Sequence, residues 1–175
     1  DEVADIGLAT EALAEHPDLV SLPCYEWQHA LVMPAGHRLT QPERIAIEDL
    51  VLEPLVLYHP SFSGRSRVDQ AFAARHLTPH IVLEAIDADV IKTYVRLGLG
   101  VGIVADMAVR DEPAGSGLVW RPLGHLFGLN TTRVAFKRGA YVRSYVYAFA
   151  EMMSDRLTRR LVAQALGGAG HDDQL

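Results

Sequence analysis

The chain has 175 residues, 49% apolar and 22% charged, with a net charge of −6 and one cysteine. That is the balance of an ordinary globular protein, long enough to bury a core as one large domain or two small ones. It excludes a basic surface for a phosphate backbone, an internal disulfide framework and, with no apolar run of about 20 residues, a spanning helix.

A small anion is not excluded, because holding one needs only local N–H groups and hydroxyls. The lone Cys24 and the lack of a signal peptide point to the cytoplasm. No initiator Met opens the chain, and residues 3–9 already read as a core strand through Val3, Ile6 and Leu8. We therefore expect a fragment of a longer polypeptide.

Residues 10–13 read as a polar start to a short helical turn, which puts Thr10 at the carboxyl end of a strand. Wound α/β sheets place their ligands there. Residues 19–34 read as extended, interrupted by Pro23, long enough to carry the chain from one sheet to another. A short helix is expected within 42–50 and a compact strand at 54–58. The loop His59-Pro-Ser-Phe-Ser-Gly64 then leads into a helix marked by Val68, Ala71 and Phe72, followed by a strand at 80–85.

Asp87 is a good N-cap for a helix whose apolar face is expected to be Val90, Ile91, Tyr94, Val95 and Leu97. Gly98 can end it in the left-handed conformation, and 101–105 suits a strand covered on both faces. A turn-rich loop at 111–117, a strand at 118–123 and an alternating strand at 131–137 follow. Residues 142–166 read as an amphipathic helical region broken near Ser154, with Tyr145, Phe149, Met152 and Leu161 inward. Residues 167–175 read as a disordered tail. Strands alternating with helices predict an α/β fold with mixed sheets.

Several side chains invite functional readings. Gly98-x-Gly100-x-Gly102 has dinucleotide-binding spacing, but it follows a helix and opens a strand, the reverse of that fingerprint. Ser63-Gly64-Arg65-Ser66 lies after a strand and before a helix, where free N–H groups and hydroxyls converge on an anion. The plainer role is a serine cap. Thr10 carries the same pair of readings. Trp27 sits two residues beyond Tyr25 on one face of an extended segment and either walls a pocket or fills the core. Lys92 and Arg96 read as a solvated face. The histidines are scattered: His76 and His80 are separated by Pro79, and His171-Asp172-Asp173 falls in the tail. No P-loop, nucleophile elbow or Cys-x-x-Cys is present, so we expect neither an enzyme nor a cofactor or metal site.

The run from Thr78 to Ala105 (TPHIVLEAIDADVIKTYVRLGLGVGIVA) closely resembles the effector-binding domain of LysR-type transcriptional regulators, in particular the CysB type of the cysteine regulon. Ile6-Gly-Leu-Ala-Thr-Glu-Ala-Leu13, Leu22-Pro-Cys-Tyr-Glu-Trp27, Phe62-Ser-Gly-Arg-Ser66 and Arg143-Ser-Tyr-Val-Tyr147 also match. The resemblance implies two lobes of periplasmic-binding-protein type joined by crossover strands, with the effector in the cleft. Residues 1–23 would belong to the first lobe and a crossover, 24–124 to the second lobe, and 125–166 to the return crossover and the rest of the first lobe.

The resemblance further implies an effector among sulfate, thiosulfate, O-acetylserine and N-acetylserine. Its contacts would be Thr10 and Ser63, the latter where relatives often carry threonine, with Trp27 close by and Gly64 and Arg65 beside the serine. Such regulators are homodimers or homotetramers that bind DNA through an N-terminal winged helix-turn-helix. That domain and the opening part of the first lobe, including a Thr/Ser-rich ligand loop, are not in this sequence, so the first lobe is expected to be incomplete. A solute-binding protein of similar two-lobed fold, serving transport, is the alternative.

Overall fold

The computed structural model describes residues 5–10, 16–139 and 142–167. The opening of the first expected strand, the turn expected just beyond Thr10 and the expected tail from residue 168, with His171-Asp172-Asp173, lie outside the described residues. The chain forms two compact units, Asp1–Glu26 with Thr131–Leu175, and Trp27–Asn130.

The first unit contains β1 (Gly7–Ala9), the start of β2 (Leu19–Pro34), most of β7 (Leu129–Lys137) and two helices, α5 (Ser144–Met153) and α6 (Arg159–Ala165). β1 pairs antiparallel with β7, Leu8 opposite Val134, and β7 lies between β1 and β2. Arg133 ties the latter two strands by donating to the Ser21 hydroxyl and carbonyl, both at 3.0 Å. The core gathers Cys24, Val134, Phe136, Val146, Ala150, Leu157 and Val162. The break expected near Ser154 is present: its backbone is extended at φ −163°, and its hydroxyl donates to the Cys24 carbonyl at 2.7 Å.

Two expectations fail in this unit. Pro23 does not interrupt β2, which runs unbroken for 16 residues; Pro23 is not buried there, so its missing N–H costs no buried bond. Tyr145, Phe149, Met152 and Leu161 do not face inward. All four are exposed, Met152 at 86%, while Val146 and Ala150 are buried. Small side chains at i and i+4 bring the helix close to the sheet, and the large ones are left on the outer face.

In the second unit the strands run β6 (Leu118–Pro122), β2, β5 (Val101–Ala105), β3 (Pro54–Tyr58), β4 (His80–Ala85). β3 is parallel to β4 and β5, and β2 is antiparallel to β5 and β6, so the sheet is mixed. Alternation along each strand feeds two cores. Leu31, Met33, Leu55, Leu57, Val101 and Ile103 meet α1 (Ile47–Val51), α2 (Arg65–Ala73) and α4 (Gly124–Phe127) through Leu50, Val68, Phe72 and Phe127. Ala30, Val32, Val56 and Val104 meet α3 (Ala88–Arg96) through Ile91 and Val95.

The Asp87 carboxylate caps α3 by accepting from the Asp89 N–H at 2.6 Å. At the other end Leu99 N–H donates to the Tyr94 carbonyl and Gly98 N–H to that of Val95, with Gly98 at φ +80°. These two bonds are a Schellman stop. A Cβ on Gly102 would lie 2.6 Å from Ile91 and 2.8 Å from Val32, so the third glycine serves close helix–sheet packing.

The buried face of α3 is narrower than expected. Ile91 and Val95 are inside, but Val90, Tyr94 and Leu97 are exposed, because one i, i+4 row suffices where glycine lets the helix sit low on the sheet. Of the expected solvated pair, Arg96 is exposed but Lys92 is largely covered. Lys92 donates to Asp89, to Glu112 and to the Ala108 carbonyl, and Arg96 pairs with Glu112, pinning α3 to the loop after β5.

Candidate functional site

The loop between β3 and α2 is built by short-range bonds. His59 N–H donates to the Ala85 carbonyl at 2.9 Å and anchors its start on β4. Phe62 N–H donates to the His59 carbonyl at 3.0 Å, His59 Nδ1 lies 2.9 Å from the Ser61 hydroxyl, and the Phe62 ring stacks on Tyr58 at 5.3 Å. The turn closes at Gly64, the N-cap of α2, with φ +92°. A Cβ there would come 2.7 Å from Trp27 Cη2 and 3.4 Å from His29 Nε2, so both conformation and space demand glycine. Ser63 is left exposed at the positive end of a nine-residue helix, a position that favours anions.

Trp27, from β2, is buried and packs its ring edge on Gly64. The second unit thus brings Trp27, Gly64 and the adjoining Ser63 together. Arg65 is turned elsewhere. Its guanidinium donates to Asp69 at 2.9 Å, to Glu84 at 2.8 Å and to the Tyr58 carbonyl. Burial works against its charge, but the bonds to Asp69 and Glu84 outweigh it and hold its pKa above the ordinary value. The Arg65 side chain therefore fastens the loop to β3 and β4. Thr10 belongs to the first unit. It follows β1, is 5% exposed, and its Oγ1 has no hydrogen-bond partner.

Two further buried side chains with unpartnered polar atoms, His29 and Asn130, are not among the residues expected from sequence. His29 is 2% exposed, with its ring edge-on to Trp27 at 5.2 Å and to Phe127 at 5.5 Å between centroids. Burial first, and then the Arg67 charge, push its pKa down to about 4, against opposing pulls from Asp106 and the Gly64 backbone. A signal for it exists: on a strand of period two, His29 shares the face of Tyr25 and Trp27. Asn130, on β7, is fully buried and neither end of its amide has a partner. An asparagine in a polar Leu-Asn-Thr-Thr run gives no such signal. Among the described residues, no group of three or more His, Cys, Asp or Glu side chains is placed to hold a metal. Nor is any helix among them long and apolar enough to cross a membrane.

Residues 1–158 match the family described as the LysR substrate binding domain. The regulator CysB of Burkholderia cenocepacia is 54% identical over 172 residues, which are 98% of this chain and 55% of that protein. SsuR of the same organism is 46% identical over 163 residues, 93% of this chain and 53% of its own length. The regulator cbl of Escherichia coli is 43% identical over 155 residues, 89% and 49%. The chain spans about half the length of these relatives. The solved cofactor-binding domain of the Cbl transcriptional regulator matches with a TM-score of 0.83 at 40% identity, covering 94% of this chain and 72% of that one. The regulatory domain of Synechocystis CcmR, in complex with 2-PG, shares the fold with a TM-score of 0.76 at 19% identity, covering 89% and 74%.

Proposed function

We propose that this chain, which belongs to the LysR substrate-binding domain family, senses a small sulfur-derived or serine-derived anion for a transcriptional regulator of sulfur assimilation and cysteine biosynthesis. Sulfate, thiosulfate, O-acetylserine and N-acetylserine are the effectors in question. The observation that carries the reading is the Ser63–Gly64 turn, seated on Trp27 at the N-terminal end of α2. A neutral hydroxyl and a helix terminus suit an anion that must be released again, because no opposing full charge locks it in place.

In this reading Ser63, Gly64 and the backbone of Arg65 hold the effector and Trp27 shapes the seat; Thr10, whose buried hydroxyl has no hydrogen-bond partner, is proposed as a further contact residue. No covalent step is required of the protein. A ligand that binds two conformations unequally shifts their populations, and that shift is the signal. DNA binding is assigned to a winged helix-turn-helix elsewhere in the full regulator, consistent with the net charge of −6 here. The full regulator is proposed to act in the cytoplasm as a homodimer or homotetramer.

Calorimetric titration of the chain with the four effectors, beside Thr10→Ala and Ser63→Ala, tests the assignment. Each substitution removes one hydrogen bond to a charged ligand and should weaken binding about tenfold. Unchanged affinity in both variants refutes it.

A further inference from the structure

One cavity of the second unit lies apart from the loop at Ser63. It has a volume of about 290 Å³, and its walls include Arg44 and Ile45 just before α1, Glu48 in the first turn of α1, Arg75 just past α2, and His125 and Leu126 of α4. Ser63 precedes α2 and Arg75 follows it. The nine residues of that helix, rising about 1.5 Å each, set the two ends about 14 Å apart.

The walls are held by bonds that leave the charges of the cavity free. Asp49, not Glu48, caps α1, its carboxylate accepting from the Ala46 N–H at 3.0 Å. His125 Nε2 lies 2.8 Å from the Ile45 carbonyl, which only accepts, so the ring donates there and ties α4 to the segment before α1. Arg121 of β6 donates to the Thr40 and Glu43 carbonyls at 3.1 and 2.8 Å and fastens the chain leading to Arg44. Elsewhere in the unit arginines meet carboxylates, Arg38 with Glu53 and Arg65 with Asp69 and Glu84. Arg44 and Glu48 have no hydrogen bond or ion pair among the described residues, and the Arg75 guanidinium has only the Ala71 carbonyl, at 3.3 Å. Two cations and one anion thus line a single cavity without neutralising one another.

We propose that this cavity is a second ligand site, for a free acidic amino acid, with Arg44 and Arg75 each taking a carboxylate and Glu48 taking the ammonium. The three charges select that class. A dicarboxylate without an ammonium sets like charge beside Glu48, and an amino acid with one carboxylate leaves a guanidinium unused. Ligand pockets span about 300–1,000 Å³, so this one is at the small end, matched to a single amino acid rather than a nucleotide. Arg44, Glu48 and Arg75 are exposed, and water competes for each of them, which places the affinity in the millimolar range. The role of the cavity does not depend on that of Ser63.

The probes are sodium L-glutamate, glutarate, which lacks the ammonium, and γ-aminobutyrate, which lacks one carboxylate. Each is titrated into the isotope-labelled wild-type chain and followed by amide proton–nitrogen spectra. L-Glutamate should move the amides of residues 44–48, 75 and 125–126 along a saturating curve and leave 63–65 in place. Glutarate and γ-aminobutyrate should bind about fivefold more weakly, since each forgoes one exposed ion pair. This comparison needs no variant to fold. No saturating shift at these residues, or a glutarate affinity equal to that of glutamate, overturns the proposal.

Variants then assign the groups, each first confirmed as folded by its unfolding curve. Arg44→Gln and Arg75→Gln should each weaken glutamate about fivefold. Glu48→Gln should weaken glutamate by a similar factor and leave glutarate as tight or tighter, so that the preference for the amino acid disappears. Ser63→Ala should leave glutamate binding unchanged, which separates this cavity from the anion seat. Glutamate binding that is indifferent to all three cavity variants, or that is lost in Ser63→Ala, overturns the proposal.

Discussion

Gly64 is the most sharply testable position in the loop, because two separable costs meet there. An alanine at φ +92° occupies backbone space that L-residues avoid, at about 1–2 kcal/mol. Its Cβ would also stand 2.7 Å from Trp27 Cη2, and relieving that overlap means moving a buried ring wedged beside His29, typically about 1–3 kcal/mol. Gly64→Ala should therefore destabilise by about 2–5 kcal/mol. Two other glycines serve as controls. Gly36 has φ +85° and nothing within 4 Å of where a Cβ would stand, so Gly36→Ala isolates the backbone strain. Gly100 has no positive φ, but its Cβ would lie 2.1 Å from the Pro54 carbonyl oxygen, so Gly100→Ala isolates the clash. Urea unfolding of the three variants, with slopes compared to confirm one transition, gives the differences. If Gly64→Ala costs no more than Gly36→Ala, Trp27 yields freely and the tight seat inferred for Ser63 is wrong.

Stability should depend on pH through His29. Its pKa is about 4 in the folded chain against 6.5 ordinarily, so between those values the unfolded state binds more protons. Stability is then lost as pH falls from about 6.5 towards 4, by up to about 3 kcal/mol. His29→Phe should flatten that part of the curve, and an unchanged curve would mean the ring is not buried neutral. Asn130→Leu replaces an amide with no partner at either end. It should leave thermal and urea stability unchanged or raised by up to about 2 kcal/mol, whereas a loss above about 1 kcal/mol would mean the amide is paired. Arg65→Lys cannot reach three acceptors with one ammonium group. The carboxylates it leaves are partly exposed, at 46% and 36%, which limits the cost to about 1–3 kcal/mol. A lysine variant as stable as wild type would show that charge alone holds the loop.

What is legible in the sequence follows from local chemistry. The boundaries of β4, α3 and β5 can be read because a capping aspartate, a terminating glycine and a strand-length apolar run each act within a few residues. The loop at Ser63 can be read for the same reason, as a turn between a strand and a helix. Facing is harder. On α5 the largest apolar residues suggest the inward face, yet Ala150 and Val146 touch the core. Which face approaches a sheet closely is a tertiary matter that hydrophobicity does not order. Adjacency groups Arg65 with the anion site, and only the positions of Glu84 and the Tyr58 carbonyl reveal its other engagement. His29 is invisible to a search for metal-ligand spacing and shows only through strand alternation with Trp27.

The three-way hold of Arg65 on α2, β3 and β4 bears on how the neighbouring serine can recognise anything. Chain held this firmly has surrendered its conformational entropy during folding, so little further ordering accompanies a ligand at Ser63. A seat of that kind does not mould itself to its guest. At the effector contact proposed for Ser63, such a seat would discriminate by the shape of the anion, tetrahedral or planar, before affinity for charge is brought into play.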